Sequence, residues 1–349
     1  MRHSLLGLLL LALAACSSGT PLVPTTDASI QGGGPDGGSG NDSGGPAPDA
    51  GPCPSSVMPG PGIVFTDSGP VQGVEAGASW KFLGLPFAAP PVGDLRWKAP
   101  APPACQPALR LADHFSSQCP QLDANDAYAG NEDCLYLNVW TPKAAAPPGG
   151  RPVLFFVHGG GHVQGSASVE ASPGVPLYDG QRFAEQQGVV VVTTNYRLGV
   201  LGWLAHPSLA AESKVGLEGN YGALDQIAAL QWLRRNIASF GGDPKRVVLA
   251  GESAGGNLVT GMTICATYER PEPYARRIFD VGLVPRAVVA ACGMLQVTDT
   301  ARFARNKKLP AIIVDRLEEV EEAYVPTDAT LARDLLDPLR ILERGAARL

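Results

Sequence analysis

Apolar and polar positions alternate along the chain with two periods. Residues 62–65 (Gly-Ile-Val-Phe) and 71–74 (Val-Gln-Gly-Val), on either side of Asp67-Ser68-Gly69-Pro70, predict two paired strands. A third strand is predicted over residues 80–85, and the proline-rich stretch 86–103 must run as extended loop. Residues 135–140 and 153–157 read as strands, and 189–195 as a continuous apolar strand of the kind covered on both faces. Residues 183–187 form a short helix. Leu224, Ile227, Leu230, Leu233, Ile237 and Phe240 then recur at three- and four-residue steps, which marks an amphipathic helix. Gly241-Gly242 ends that helix, and Asp243-Pro244 turns the chain into an apolar strand at 247–250. Further strands are predicted at 287–291 and 311–314. Strands alternate with helices, so the class is α/β with a mainly parallel sheet.

The strand at 247–250 runs directly into a helix through Gly251-Glu252-Ser253-Ala254-Gly255. A G-x-S-x-G sequence in that context puts the serine on a strained turn, with its hydroxyl lifted above the sheet edge. Glycines on both sides let strand and helix approach. The geometry aims the Ala254 N–H at the space beside Ser253, giving a nucleophile with an anion-stabilising donor attached. Acyl transfer also needs further donors for the oxyanion. A second strand supplies them, because residues 155–157 end in His158-Gly159-Gly160-Gly161, a glycine loop of the HGGG kind.

Composition narrows the setting. The 349 residues, 45% of them hydrophobic, suffice for one large α/β domain. A net charge of −6 with no basic cluster argues against a nucleic-acid partner. Residues 1–16 (MRHSLLGLLLLALAAC) are a secretory signal, too short to span a bilayer permanently. Leu13-Ala14-Ala15-Cys16 resembles a bacterial lipobox, so Cys16 is the expected lipidation site and the membrane is reached through an N-terminal lipid anchor. Ser17 then points to an exported lipoprotein of the outer membrane or cell surface. Residues 17–54, rich in Gly, Pro, Ser and Asp, cannot offset their ordering entropy and read as a flexible linker. Such a linker spans on the order of 30–36 Å. Residues 55–349 form the catalytic-type domain, with folding expected from about Gly62. Six cysteines remain, at 53, 105, 119, 134, 265 and 292; an even number in an exported chain suggests disulfides, with fifteen possible pairings. No cysteine–histidine ligand spacing occurs, so neither a metal nor another cofactor is expected.

The segments EDCLYLNVWTP (132–142), HGGG (158–161), NYRLGVLGWLAHP (195–207), GNYGALDQ (219–226) and GESAGG (251–256) together resemble the type-B carboxylesterase and cholinesterase family. That resemblance implies an α/β-hydrolase fold with helices on both faces of the sheet. It implies a serine carboxylic ester hydrolase acting on a small-molecule ester. Ser253 would be the nucleophile, Gly160, Gly161 and Ala254 the oxyanion donors, and His158, Gly159 and Glu252 their support. Cys119 and Cys134 occupy the positions of the family's early disulfide. One departure is His162, where the family has an aromatic residue lining the acyl pocket. After residue 256 the sequence is closer to the hormone-sensitive-lipase-like esterases.

The acid and base of such a site should follow the serine in chain order. The five histidines are at 3, 114, 158, 162 and 206, so none follows Ser253. Asp315, Asp334, Asp337 and Glu343 follow it, but each reads as a solvated charge. The expectation is that the C-terminal part is truncated. The alternatives are a non-catalytic surface binding protein of esterase fold or an inactive product.

Overall fold

The computed structural model describes residues 53–291, apart from residue 124 and residues 213–218. Its centre is a seven-stranded sheet. The strands are β1 (Val74–Ala76), β2 (Ser79–Pro86), β3 (Tyr136–Pro142), β4 (Arg151–Val157), β5 (Val190–Thr194), β6 (Gly242–Glu252) and β7 (Ala287–Ala291). Their spatial order is β7-β6-β4-β5-β3-β2-β1. The four strands from β7 to β5 pair in parallel, with Leu249 beside Phe155 and Val192 also beside Phe155. The pairings from β5 out to β1 are antiparallel. The sheet is therefore mixed, and the expected parallel character belongs to the half that carries Ser253. Antiparallel pairing can close through a short turn, as β1 and β2 do here, whereas parallel pairs need long crossovers.

Side chains divide between the two faces with a period of two, as a pleated strand dictates. Val153, Phe155 and Val157 of β4 join Val190 and Val192 of β5 in the large core. Helices α2 (Tyr221–Asn236) and α3 (Ala254–Thr267) cover that face with Leu224, Ile227, Leu230, Val259 and Met262. On the opposite face Leu83, Trp140 and Val191 pack against Ala184 of the short helix α1 (Gln181–Gln187). Each fully buried Leu, Val or Phe side chain contributes roughly 1.5–3 kcal/mol through removal from water. That gain favours one register over a one-residue slip, which would turn every core side chain outward.

The first two predicted strands do pair, as Ile63–Thr66 with Gly69–Gln72, but the second begins inside the predicted turn at Gly69 and stops at Gln72, and Val74 starts β1 of the central sheet. The predicted third strand does not join them: it is β2 of the central sheet, and Arg110–Leu111 completes the small sheet instead. The amphipathic helix runs as predicted, finishing in a tighter turn at Ile237–Phe240 with Gly241 left-handed at φ 78°. Ordered contacts reach back to Cys53, which is bonded to Cys105; Cys119 is bonded to Cys134, the pairing that the family resemblance implied. Cys265 is a buried free thiol. Cys16, Cys292, the predicted strand at 311–314 and the four late acidic residues lie outside the described residues.

Candidate active site

Ser253 is the single residue between β6 and α3, and its backbone has φ 49° and ψ −119°. A left-handed φ at a non-glycine residue costs on the order of 1–3 kcal/mol and persists only where the surroundings impose it. The surroundings here are tight. A Cβ on Gly251 would lie 2.4 Å from the Gly255 carbonyl oxygen, and one on Gly255 would lie 2.3 Å from that of Val157. Side chains at either position would push strand and helix apart and open the turn. The Ser253 N–H donates to the Ala291 carbonyl at the end of β7 (2.9 Å), which fixes the turn against the neighbouring strand. The residue itself is exposed.

Strand β4 delivers the second half of the site. It lies beside β6 and ends at Val157, so the glycine loop starts next to Ser253. A Cβ on Gly159 would sit 2.8 Å from the Glu252 carbonyl oxygen and 3.0 Å from the Ser253 Cβ. Gly160 and Gly161 follow in left-handed conformations, with φ 100° and 62°. His158 is buried behind them, stacked on Tyr196 with ring centroids 4.4 Å apart. Its Nδ1 lies 2.8 Å from the Gly159 carbonyl oxygen, so Nδ1 carries the hydrogen and donates. In a trans peptide the carbonyl and the next N–H point to opposite sides. Holding the Gly159 carbonyl toward His158 therefore turns the Gly160 N–H away from that ring. Ala254 is the first residue of α3, and the first bond of that helix is Asn257 N–H to Ser253 carbonyl. The Ala254 N–H has no partner within the helix, as the helix start requires.

Burial pushes the His158 imidazole down to about 4, and burial together with the neighbouring His158 pushes His162 down to about 3. Both rings are neutral at pH 7. His162 packs against Trp203 with centroids 4.4 Å apart, and its carbonyl accepts from the Gly199 N–H at 2.7 Å. A base titrating near 3 is mismatched to proton uptake at neutral pH. His114 and His206 are exposed. No hydrogen bond joins Ser253 Oγ to any histidine among the described residues.

Two connections had no counterpart in the sequence reasoning. The Tyr178 hydroxyl donates to Glu252 Oε1 at 2.5 Å. Burial, and then the Glu252 contact, raise the phenol far above its ordinary value, so it remains a donor. The carboxylate beside the nucleophile is thus held from a separate loop. Behind the site, the fully buried Asp225 of α2 accepts two bonds from the Arg197 guanidinium (2.8 and 2.7 Å) and one from its backbone N–H (3.0 Å). A visible signal existed: Asp225 shares a helix face with Ala229, Trp232 and Asn236, at steps of four, seven and eleven residues, and that face of α2 is buried, where an unpaired charge would be prohibitive.

A profile of the carboxylesterase family matches residues 60–309. The chain belongs to the carboxylesterase family. It is 52% identical to a fumonisin B1 esterase of Sphingopyxis macrogoltabida over 198 residues, which cover 56% of this chain and 35% of that protein. It is 37% identical to a para-nitrobenzyl esterase of Bacillus subtilis over 292 residues, 81% of this chain and 54% of that protein. Among solved structures, a Geobacillus stearothermophilus carboxylesterase aligns with TM-score 0.57 and 32% identity over 82% of this chain and 59% of that one. The chain thus spans between about a third and three fifths of the length of these relatives. As a member of this family it has the α/β-hydrolase fold that the motifs implied.

Proposed function

We propose that this chain carries the nucleophile and oxyanion half of a serine carboxylic ester hydrolase. Ser253 Oγ attacks the carbonyl carbon of a small-molecule ester while the Gly160, Gly161 and Ala254 N–H groups receive the oxyanion. The carbon–oxygen bond to the alcohol breaks, the Oγ proton ends on the departing alkoxide, and an acyl-serine remains. Water then releases the acid and returns a proton to Ser253. The observation that carries this reading is the strained turn, φ 49° at an exposed Ser253, pressed against the Gly159 backbone.

Without a histidine after residue 253, a polypeptide of these 349 residues should acylate slowly and deacylate more slowly still. Removing the base of a serine hydrolase costs on the order of 10⁶ in turnover. The test is to expose the chain to an activated short-chain ester, with imidazole as an external proton acceptor. Mass spectrometry should find the acyl group on the Ser253 peptide, and not on Ser253→Ala. A surface binding protein of esterase fold that makes no chemical use of Ser253 predicts no adduct under any of these conditions.

We propose separately that the protein is an exported lipoprotein of the outer membrane or cell surface, held by lipid on Cys16. The apolar run before Cys16 and Ser17 after it support this. One acyl chain gives marginal attachment, whereas the several chains of a lipoprotein hold firmly. Continued membrane partitioning of a Cys16→Ala variant after salt washing would sink this assignment.

A further inference from the structure

The loop closed by Cys119–Cys134 touches the glycine loop through one side chain. Gln121 lies two residues after Cys119, on a short strand, Gln121–Leu122, paired with Tyr128–Ala129. Its Oε1 accepts from the Gly165 N–H at 2.8 Å, and its Nε2 donates to the Gly165 carbonyl at 3.0 Å and to the Cys119 carbonyl at 3.0 Å. Both amide hydrogens and one acceptor position are used. The flipped amide would set Oε1 against two carbonyl oxygens, so the chemistry fixes this orientation.

Gly165 in turn lies against the peptide that matters. Its φ is 108°, and a Cβ there would stand 2.6 Å from His158 Nδ1 and 2.7 Å from the Gly159 carbonyl oxygen. The Gly165 backbone is therefore held between the Gln121 amide on one side and the His158–Gly159 contact on the other. The buried disulfide anchors the start of the Gln121 segment, and the Asn131 N–H donates to the Gln118 carbonyl (2.9 Å) across the neck of the same loop.

We propose that Gln121 is a positioning residue for the oxyanion loop. It holds Gly165, Gly165 closes over the His158–Gly159 hydrogen bond, and that bond sets the direction of the Gly160 N–H. The inference rests on the esterase reading for the purpose of the loop, but the clamp can be measured without it.

Hydrogen exchange followed by mass spectrometry, over peptides covering residues 158–165, compares the wild-type chain with Gln121→Ala and Gln121→Glu. Loss of the three hydrogen bonds, two of them to Gly165, should raise exchange in the Ala variant at least about tenfold. In Gln121→Glu the introduced carboxyl, when protonated, restores the pair of bonds to Gly165 with its single O–H and its carbonyl oxygen, but not the bond to the Cys119 carbonyl; when ionised it repels both carbonyls. The clamped state favours the neutral acid and raises its pKa above the ordinary value of roughly 4.3. Protection, read as a ratio to wild type at each pH, is therefore present below that pKa and lost as pH rises through it. A loop that is merely packed would show no such step. Acylation of Ser253 by the activated ester should also slow about tenfold in Gln121→Ala, with ester affinity little changed. Equal loop exchange in wild type and Gln121→Ala overturns the proposal. So does a Gln121→Glu profile without recovery at low pH, or faster exchange that leaves the acylation rate untouched. If the wild-type chain takes no acyl group at all, the esterase reading fails, while the exchange data still decide the clamp.

Discussion

Lowering the pH from 7 to 5 should destabilise this protein through two neutral histidines buried beside the nucleophile. Both His158 and His162 titrate in the fold below their ordinary 6.5, at about 4 and about 3. Burial is the main cause for each. The sign follows from linkage: below 6.5 the unfolded chain binds protons that the folded chain refuses, so stability is fully present above 6.5 and falls as pH falls. At pH 5 each unfolded histidine is almost wholly protonated and each folded one is not. With 1.36 kcal/mol per pH unit, each ring then costs roughly 2 kcal/mol, or about 4 kcal/mol together. That is a large part of a net stability of about 5–15 kcal/mol. Carboxylates with lowered pKa do not blur this window. Asp123, held by the Ala127 N–H, and Asp243, held by the Lys245 N–H, lose their contribution only below their ordinary 3.8. The assay is urea unfolding at both pH values, on wild type and on His162→Phe. Phenylalanine keeps the packing on Trp203 but cannot titrate, so about half of the acid sensitivity should vanish. An unfolding free energy that stays level from pH 7 to 5, or a His162→Phe variant as acid-sensitive as wild type, would refute the reasoning.

Other consequences follow from particular contacts. Asp225→Ala should cost about 3–5 kcal/mol in urea unfolding, because it leaves the Arg197 guanidinium buried without its partner. Replacing both Arg197 and Asp225 by apolar residues of similar size should recover much of that loss. Removing the Cys119–Cys134 bridge should cost roughly 3 kcal/mol and removing Cys53–Cys105 roughly 4 kcal/mol, in proportion to the logarithm of the loops they close. A non-reduced digest should show both linked pairs. Cys265, buried and pushed up to about 12 by burial, should resist alkylation until the chain is unfolded.

The parts of the fold legible in the sequence were those that local patterning decides. The stripe from Leu224 to Phe240 has one solution, a helix on an apolar face, and α2 realises it. The G-x-S-x-G turn is equally local, since the two glycines and the serine specify a strand-to-helix junction within five residues. Sheet order is different in kind. The run at residues 80–85 is a strand in either sheet, and only its packing decides between them: Phe82 and Leu85 reach the core of β3 and β5, while Leu83 reaches Trp140 on the far face. Nothing within the run states that choice.

The candidate site divides along the same line. Ser253, Gly159, Gly160 and Gly161 could be read because backbone geometry demands those residue types at those positions. Tyr178, Arg197 and Gln121 could not, because any side chain of suitable length with the right donors, and for Gln121 an acceptor as well, would satisfy the groups that each one meets. Their partners lie 74, 28 and 44 residues away in sequence, and no spacing encodes a contact made through space. Yet these side chains set how firmly the legible ones are held. Gln121 grips Gly165, Tyr178 restrains Glu252, and Asp225 fixes the Arg197 segment that leads to the Gly199 contact with His162. A nucleophile motif therefore identifies where chemistry can occur. How well the oxyanion donors stay aimed depends on polar contacts from loops that the motif does not contain, and substitutions in those loops should alter acylation while leaving the motif intact.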